Sequence, residues 1–196
     1  MKNSNKKVLV INGHPDKGSY NFALSDAYVN GLKDSGLEFD ILNIRDLDFN
    51  PNLQYGYRLI SELEPDLQKA IEMIKAADHL VWILPMWWYG YPALTKGFVD
   101  RIFLPGLFFK YQKGNAFPKK LLKGKTGRLI ITADTVQWYD RWFMKRPLIN
   151  QFKKGTLQFV GINPVRITYF APLKSSTLET RKKWLQKVFK LGKAAA

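Results

Sequence analysis

The sequence predicts an α/β fold in a single domain over 1–196, with a five-stranded parallel sheet and helices on both faces. Three observations predict it. Five compact apolar runs recur, at 8–11, 39–44, 80–84, 128–132 and 164–170. Longer amphipathic stretches lie between them, with apolar residues at helical spacing. No internal repeat, low-complexity linker or shift in composition divides the chain.

The elements follow in order. Val8-Leu9-Val10-Ile11 is rich in β-formers and stops at Asn12-Gly13. A helix is expected over 19–33, where Phe22, Leu24, Tyr28, Val29 and Leu32 are apolar and Ser35-Gly36 ends it. The second strand is 39–44. A helix over 64–77 places Leu67, Ala70, Ile71 and Ile74 on one face. Leu80-Val81-Trp82-Ile83-Leu84 forms the third strand, halted by Pro85. Pro92 suits the first turn of a helix that runs to about 103. Strands over 128–132 and 164–170 flank a helix over 147–160, and a last helix covers 176–191. Such alternation implies right-handed crossovers and a sheet covered on both sides. Ligands of these sheets bind beyond the carboxyl ends of the strands, so 13–21, 85–91 and 132–139 share one rim.

Composition narrows the chemistry. At 196 residues, a single domain buries roughly 70% of its unfolded surface without staples. Cysteine is absent and only His14 and His79 represent histidine. Disulfides, thiol redox chemistry, cysteine-ligated clusters and multi-histidine metal centres are thereby excluded, and no metal site is expected. Hydrophobic residues make up 46% of the chain, enough for a packed core. No apolar run approaches the roughly 20 residues of a membrane span, and the polar start has no processing site, so a cytoplasmic protein is expected. Lys and Arg number 31 against 16 Asp and Glu, a net charge of +15. That excess concentrates anions without choosing between nucleic acid, anionic lipid and phosphorylated small molecules.

The first loop, Asn12-Gly13-His14-Pro15-Asp16-Lys17-Gly18-Ser19-Tyr20-Asn21, leads into a helix N-terminus. Unpaired N–H groups and the positive helix end suit a phosphate there. Ser19 is a good N-cap, and His14 and Lys17 add donors. Gly13 and Gly18 have P-loop spacing, but Ser19 stands where the lysine belongs, and G-x-G-x-x-G is absent. A nucleotide triphosphatase and a Rossmann dinucleotide site are both disfavoured.

The third exit, Pro85-Met86-Trp87-Trp88-Tyr89-Gly90-Tyr91-Pro92, carries three consecutive aromatics that fit neither helical nor strand periodicity. They serve either as packing or a dimer contact, or as a wall for a planar ligand.

With G-H-P and S-Y-N in the first loop, the segment P-M-W-W-Y-G-Y-P-A-L-T-K-G-F-V-D-R-I-F resembles the flavodoxin-like NAD(P)H:quinone oxidoreductases. The resemblance spans 8–191. It implies a flavodoxin-like domain in which His14, Ser19, Tyr20 and Asn21 hold a flavin phosphate. Pro85, Met86, Trp87, Trp88 and Tyr89 would contact the ring; Lys96, Asp100 and Arg101 belong to the helix that follows. Leu107-Phe108-Phe109-Lys110-Tyr111 is similar to an aromatic flap that lines the partner subunit's substrate pocket, which makes Tyr111 a candidate catalytic residue and a homodimer the expected state.

Two departures stand out. Thr132, Ala133, Asp134 and Thr135 occupy the fourth loop, where the family usually has glycines; Asp134 would cap the next turn or meet a ribityl hydroxyl. Some relatives carry a relay histidine after this loop, and here none exists. Tyr139 is the candidate donor in its place, beside Trp138, with solvent the alternative. His79 lies at the opposite end of its strand and is expected to be structural. The loop over 46–51 is given a shaping role only.

The resemblance implies FMN as cofactor, FAD being the alternative, and NAD(P)H as co-substrate, with the basic surface favouring NADPH. The acceptor would be a quinone or similar small molecule, reduced in ping-pong turnover. The rival readings are a regulatory subunit of a potassium-efflux system, a basic nucleic-acid-binding module and a one-electron carrier. Clustering of the aromatics at one loop exit argues against nucleic acid.

Overall fold

The computed structural model describes residues 6–59 and 62–195. In chain order the elements begin with β1 (Lys7–Asn12), α1 (Tyr20–Ser35), β2 (Glu38–Asn43), α2 (Pro65–Ala76), β3 (His79–Pro85) and α3 (Ala93–Ile102). A short hairpin follows, β4 (Phe109–Lys110) and β5 (Lys119–Lys120), then β6 (Thr126–Thr132) and α4 (Gln137–Trp142). The chain closes with α5 (Pro147–Ile149), α6 (Gln158–Val160), β7 (Val165–Phe170) and α7 (Leu178–Lys193).

Five strands pair in the order β2-β1-β3-β6-β7, every pair parallel. The expected flavodoxin-like sheet is present. Strand order reverses between β1 and β3, so the exits of β1 and β3 open a crevice at the switch point.

Alternation of side chains sorts the strands between two cores. Leu9, Ile11, Leu80, Trp82 and Leu84 face α2 and α3 with Leu67, Ile71 and Phe98. Val8, Val10, Val81, Ile83 and Ile130 face α1 and α7 with Leu24, Tyr28 and Val188. Truncating one such fully buried leucine costs about 2–5 kcal/mol. α1 and α7 meet closely because both contact points are glycine: a Cβ on Gly31 would lie 2.1 Å from the Phe189 carbonyl, and one on Gly192 2.1 Å from the Tyr28 carbonyl.

Three details differ from the sequence expectation. The helix expected over 147–160 exists, but Asn150–Leu157 between α5 and α6 is π-helical. The six-residue α4 is too short to carry periodicity, and the flap segment at 107–111 supplies one strand of the β4–β5 hairpin. Arg101, carried over only as a helix residue, is a structural pin. Its guanidinium is 3% exposed, pairs with Glu64 at 2.7 Å and donates to the Asn50 and Glu62 carbonyls. The long loop before α2 is thereby tied to α3.

Candidate active site

The exit of β1 builds the floor of a cleft. Gly13 N–H donates to the Ile83 carbonyl at 3.0 Å, and Thr95 Oγ1 donates to the Gly13 carbonyl at 2.9 Å. A Cβ at Gly13 would lie 2.6 Å from that hydroxyl, so only glycine lets β1 and α3 come this close. Asn12 Oδ1 accepts from His14 N–H at 3.0 Å and turns the chain.

Ser19 occupies the N-cap of α1, yet its side chain makes no capping bond. The hydroxyl is buried without a partner. The expected capping by Ser19 is therefore corrected: Asp16 serves the loop instead, its carboxylate accepting from Gly18 N–H at 2.9 Å. Tyr20 and Asn21, the first helical residues, lack an intrahelical acceptor for their N–H groups, as every helix start does. Asn21 is 1% exposed and its Nδ2 has no partner. A concavity thus gathers unsatisfied donors at a positive helix end, which is the chemistry of an anion nest.

His14 stands at its edge, packed edge-on against Trp87 at 5.5 Å between ring centroids. Burial depresses its pKa below the usual value, so the ring is neutral near pH 7. Nδ1 lies 3.0 Å from Asp16 N–H and 3.1 Å from the Asp16 carbonyl, so Asp16 engages that nitrogen in either tautomer and Nε2 is the one left for a ligand.

The cleft encloses about 120 Å³. Of the sequence candidates, His14, Ser19, Tyr20, Asn21, Pro85, Met86, Trp87, Thr132, Ala133 and Asp134 line it together. Trp88, Tyr89, Thr135, Tyr111 and Tyr139 do not. Trp88 is fully exposed at the rim. Trp87 and Gly90 exchange two hydrogen bonds of 2.9 Å, so Trp88-Tyr89 is a two-residue turn with φ of 50° and 58°. Left-handed backbone costs an L-residue roughly 1–2 kcal/mol, and here two bulky aromatics adopt it in succession.

Thr135 accepts from the Tyr169 hydroxyl at 3.0 Å through its carbonyl. Tyr139 lies on α4, stacked on Phe143 at 5.2 Å and 11°. Tyr111 belongs to the hairpin, where it borders a separate cavity of about 620 Å³ with Phe103, Phe109 and Thr156. The two candidate catalytic tyrosines therefore do not meet the cleft within one chain.

Two of the polar candidates have partners elsewhere in the chain. Asp134 Oδ1 accepts from Lys174 N–H at 2.6 Å, tethering the loop after β7, while the residue also lines the cleft. The Tyr20 hydroxyl donates to the Arg181 carbonyl at 2.7 Å, so this side chain anchors α1 to α7. Leu173, absent from the sequence candidates, lines the cleft and is held by its N–H to the Ala133 carbonyl at 2.9 Å. It follows the fifth strand, and the rim argument applied to that exit would have found it. His79, as expected, is at the far end, hydrogen-bonded to Thr126 Oγ1 at 2.7 Å.

An open parallel sheet with a donor-rich helix start and an aromatic turn at its switch point defines the class. The chain belongs to the family described as having the flavodoxin-like fold, whose sequence profile matches residues 6–193. An uncharacterized NAD(P)H oxidoreductase of Haemophilus influenzae is 25% identical over 183 residues, covering 91% of this chain and 90% of the relative. The FMN-dependent NADH:quinone oxidoreductase 2 of Bacillus cereus is 26% identical over 179 residues, covering 80% and 82%. The structure of the NAD(P)H:quinone oxidoreductase from Methanothermobacter marburgensis superposes with a TM-score of 0.84 over 98% of this chain and 100% of the other. At 20% identity that likeness establishes the shared fold.

Proposed function

We propose that the protein is a flavin-dependent NAD(P)H:quinone oxidoreductase with FMN as its cofactor. The observation that carries the reading is the orphaned, buried Ser19 hydroxyl at the start of α1, because a buried donor without a partner costs about 1–3 kcal/mol unless a ligand satisfies it. The names of the relatives from Haemophilus influenzae and Bacillus cereus support the reaction and the cofactor. Bound flavin supplies hydride acceptance from NAD(P)H and hydride donation to a quinone.

The chain's own residues do the rest. Ser19 Oγ–H, the Tyr20 and Asn21 N–H groups and neutral His14 donate to the phosphate. The cavity of about 120 Å³ beside Ser19 would hold the phosphate end, and Trp87, which lines it, and Trp88 on the rim would offer aromatic surface to the ring. Pro85, Met86 and Tyr89 fix the turn that flanks it, and Thr132, Ala133 and Thr135 supply the opposite edge with Asp134 tethering it. Tyr139 does not line the Ser19 cavity, so as the proposed proton donor it would serve an acceptor bound on the rim; the residue is 38% exposed.

Tyr111 lines a different cavity from the one at Ser19, so its catalytic role requires a second copy to deliver the hairpin. A homodimer is therefore part of this reading, and sedimentation of the purified protein measures it. The compartment that supplies NAD(P)H, the cytoplasm, is its proposed location. Among the described residues no helix is long and apolar enough to cross a membrane.

The test is visible absorption of the purified protein. A yellow protein that NADPH bleaches and menadione restores upholds the reading. A colourless protein that neither FMN nor FAD reconstitutes overturns it.

A further inference from the structure

The amino end of the sheet, opposite the cleft, gathers positive charge. Parallel register sets Arg128 on β6 directly beside Arg166 on β7, and His79 on β3 beside Thr126 on β6. Strand alternation puts His79, Thr126, Arg128, Arg166 and Thr168 on one face of the sheet. Two guanidinium groups at paired positions repel one another, an arrangement that normally destabilises a sheet.

Among the described residues no carboxylate balances them. Among the described residues Arg128, Arg166 and Lys6 make no ion pair within 4 Å. The adjacent Asp78 is engaged by Lys7 N–H at 2.9 Å, and Lys7 itself pairs with Glu38 and Asp40. The carbonyls that end α2 are likewise occupied, Lys75 and Ala77 accepting from Lys125 Nζ. Arg128 is only 8% exposed. It donates to Thr168 Oγ1 at 3.2 Å through one terminal nitrogen, while its Nε is buried with no partner among the described residues. A buried cation is ordinarily paired, because desolvating it alone is costly.

These groups surround a small cavity of about 40 Å³ lined by His79, Thr126, Arg128 and Arg166 with Pro164 and Ala195. That is room for one small oxyanion and too little for a nucleotide. The electrostatics agree: burial first, then Lys6, Arg128 and Arg166, hold His79 down to a pKa of about 3. Neutral Tyr28 is the other titratable group coupled to Arg128, its phenol pushed up to about 12 by burial.

We infer that this cavity is a second anion site, in which a small oxyanion such as sulfate or inorganic phosphate bridges Arg128 and Arg166 beside His79. The site is independent of the flavin reading, lying at the opposite end of the strands. An anion there neutralises the repulsion between β6 and β7 and ties the last strand to the sheet.

His79 is the reporter. With only two histidines in the chain, imidazole ¹H–¹⁵N spectra of the whole protein are assigned by comparison with H79Q. Sodium sulfate titrated at constant ionic strength should shift the His79 resonances saturably and raise the His79 pKa. Arg166 is exposed, so R166Q should fold normally and weaken the response at least tenfold; R128M should do the same. S19A, which alters the other donor-rich cleft, should leave it intact. Sulfate bound saturably should also raise Tm by about 2–4 °C for each 1 kcal/mol of linkage in a chain of this size. A linear, non-saturating response, one undiminished from the parent in R166Q and R128M, or one lost in S19A overturns the site.

Discussion

Thr132 Oγ1 donates to Asn21 Oδ1 at 2.7 Å, a buried bond between residues 111 positions apart. It joins the start of α1 to the end of β6, so the two walls of the cleft are held by one contact. Thr132→Val removes the donor at nearly constant volume and leaves both polar atoms of the Asn21 side chain unpaired. The expected loss is about 1–3 kcal/mol of stability, measured by urea denaturation, together with faster flavin release.

Ser19→Ala tests the phosphate assignment separately from the ring. The alanine removes one donor where no capping bond exists to lose, so fluorescence titration should record FMN affinity falling about tenfold for a loss of about 1.4 kcal/mol. Riboflavin, which lacks the phosphate, should bind the variant and the parent equally. Equal loss for both ligands would place Ser19 outside the phosphate site.

The Trp88-Tyr89 turn stores backbone strain in exposed or half-buried aromatics. Replacing the pair by Asn-Gly, the residues such a turn prefers, should raise stability by about 1–3 kcal/mol in thermal denaturation. Steady-state kinetics should show turnover with quinone dropping at the same time, since the aromatic wall is gone. A variant that gains stability and keeps full turnover would show the strain to be without catalytic purpose.

Acid should weaken the fold through His79. Its folded pKa of about 3 lies below the ordinary 6.5, so the unfolded chain takes up the proton first as pH falls. The contribution is fully present above pH 6.5 and is lost progressively down to about pH 3. Its size is on the order of 5 kcal/mol. Equilibrium unfolding across that window, in buffer free of sulfate and phosphate, should be flatter for H79Q, whose amide can still meet Thr126.

Gly192→Ala should separate α7 from α1. The added methyl would fall 2.1 Å from a backbone carbonyl, which no rotamer change relieves, so a loss of about 3 kcal/mol or more is expected by denaturation. The substitution is far from the cleft, and flavin bound to the surviving folded fraction should keep its affinity.

Local rules determined much of this protein from the sequence alone. Apolar runs with helical stretches between them dictate a parallel sheet, and a parallel sheet dictates which loops share an edge. Hence His14, Ser19, Asn21, Trp87 and Thr132 were legible as one site, since the periodicity of the chain is enough to place every strand exit. The aromatic turn was equally legible because three consecutive aromatics satisfy no regular element.

Only the tertiary structure decided what each polar atom does. Ser19 stands at a helix start in the sequence, but only the folded loop shows its hydroxyl buried and making no capping bond. Whether Asp134 faces a ligand depends on Lys174, forty residues on. The pairing of Arg128 with Arg166 depends on a strand register that no local pattern encodes. A side chain's partners are set by distances between segments remote in sequence, and those distances exist only once the sheet has closed around its two cores.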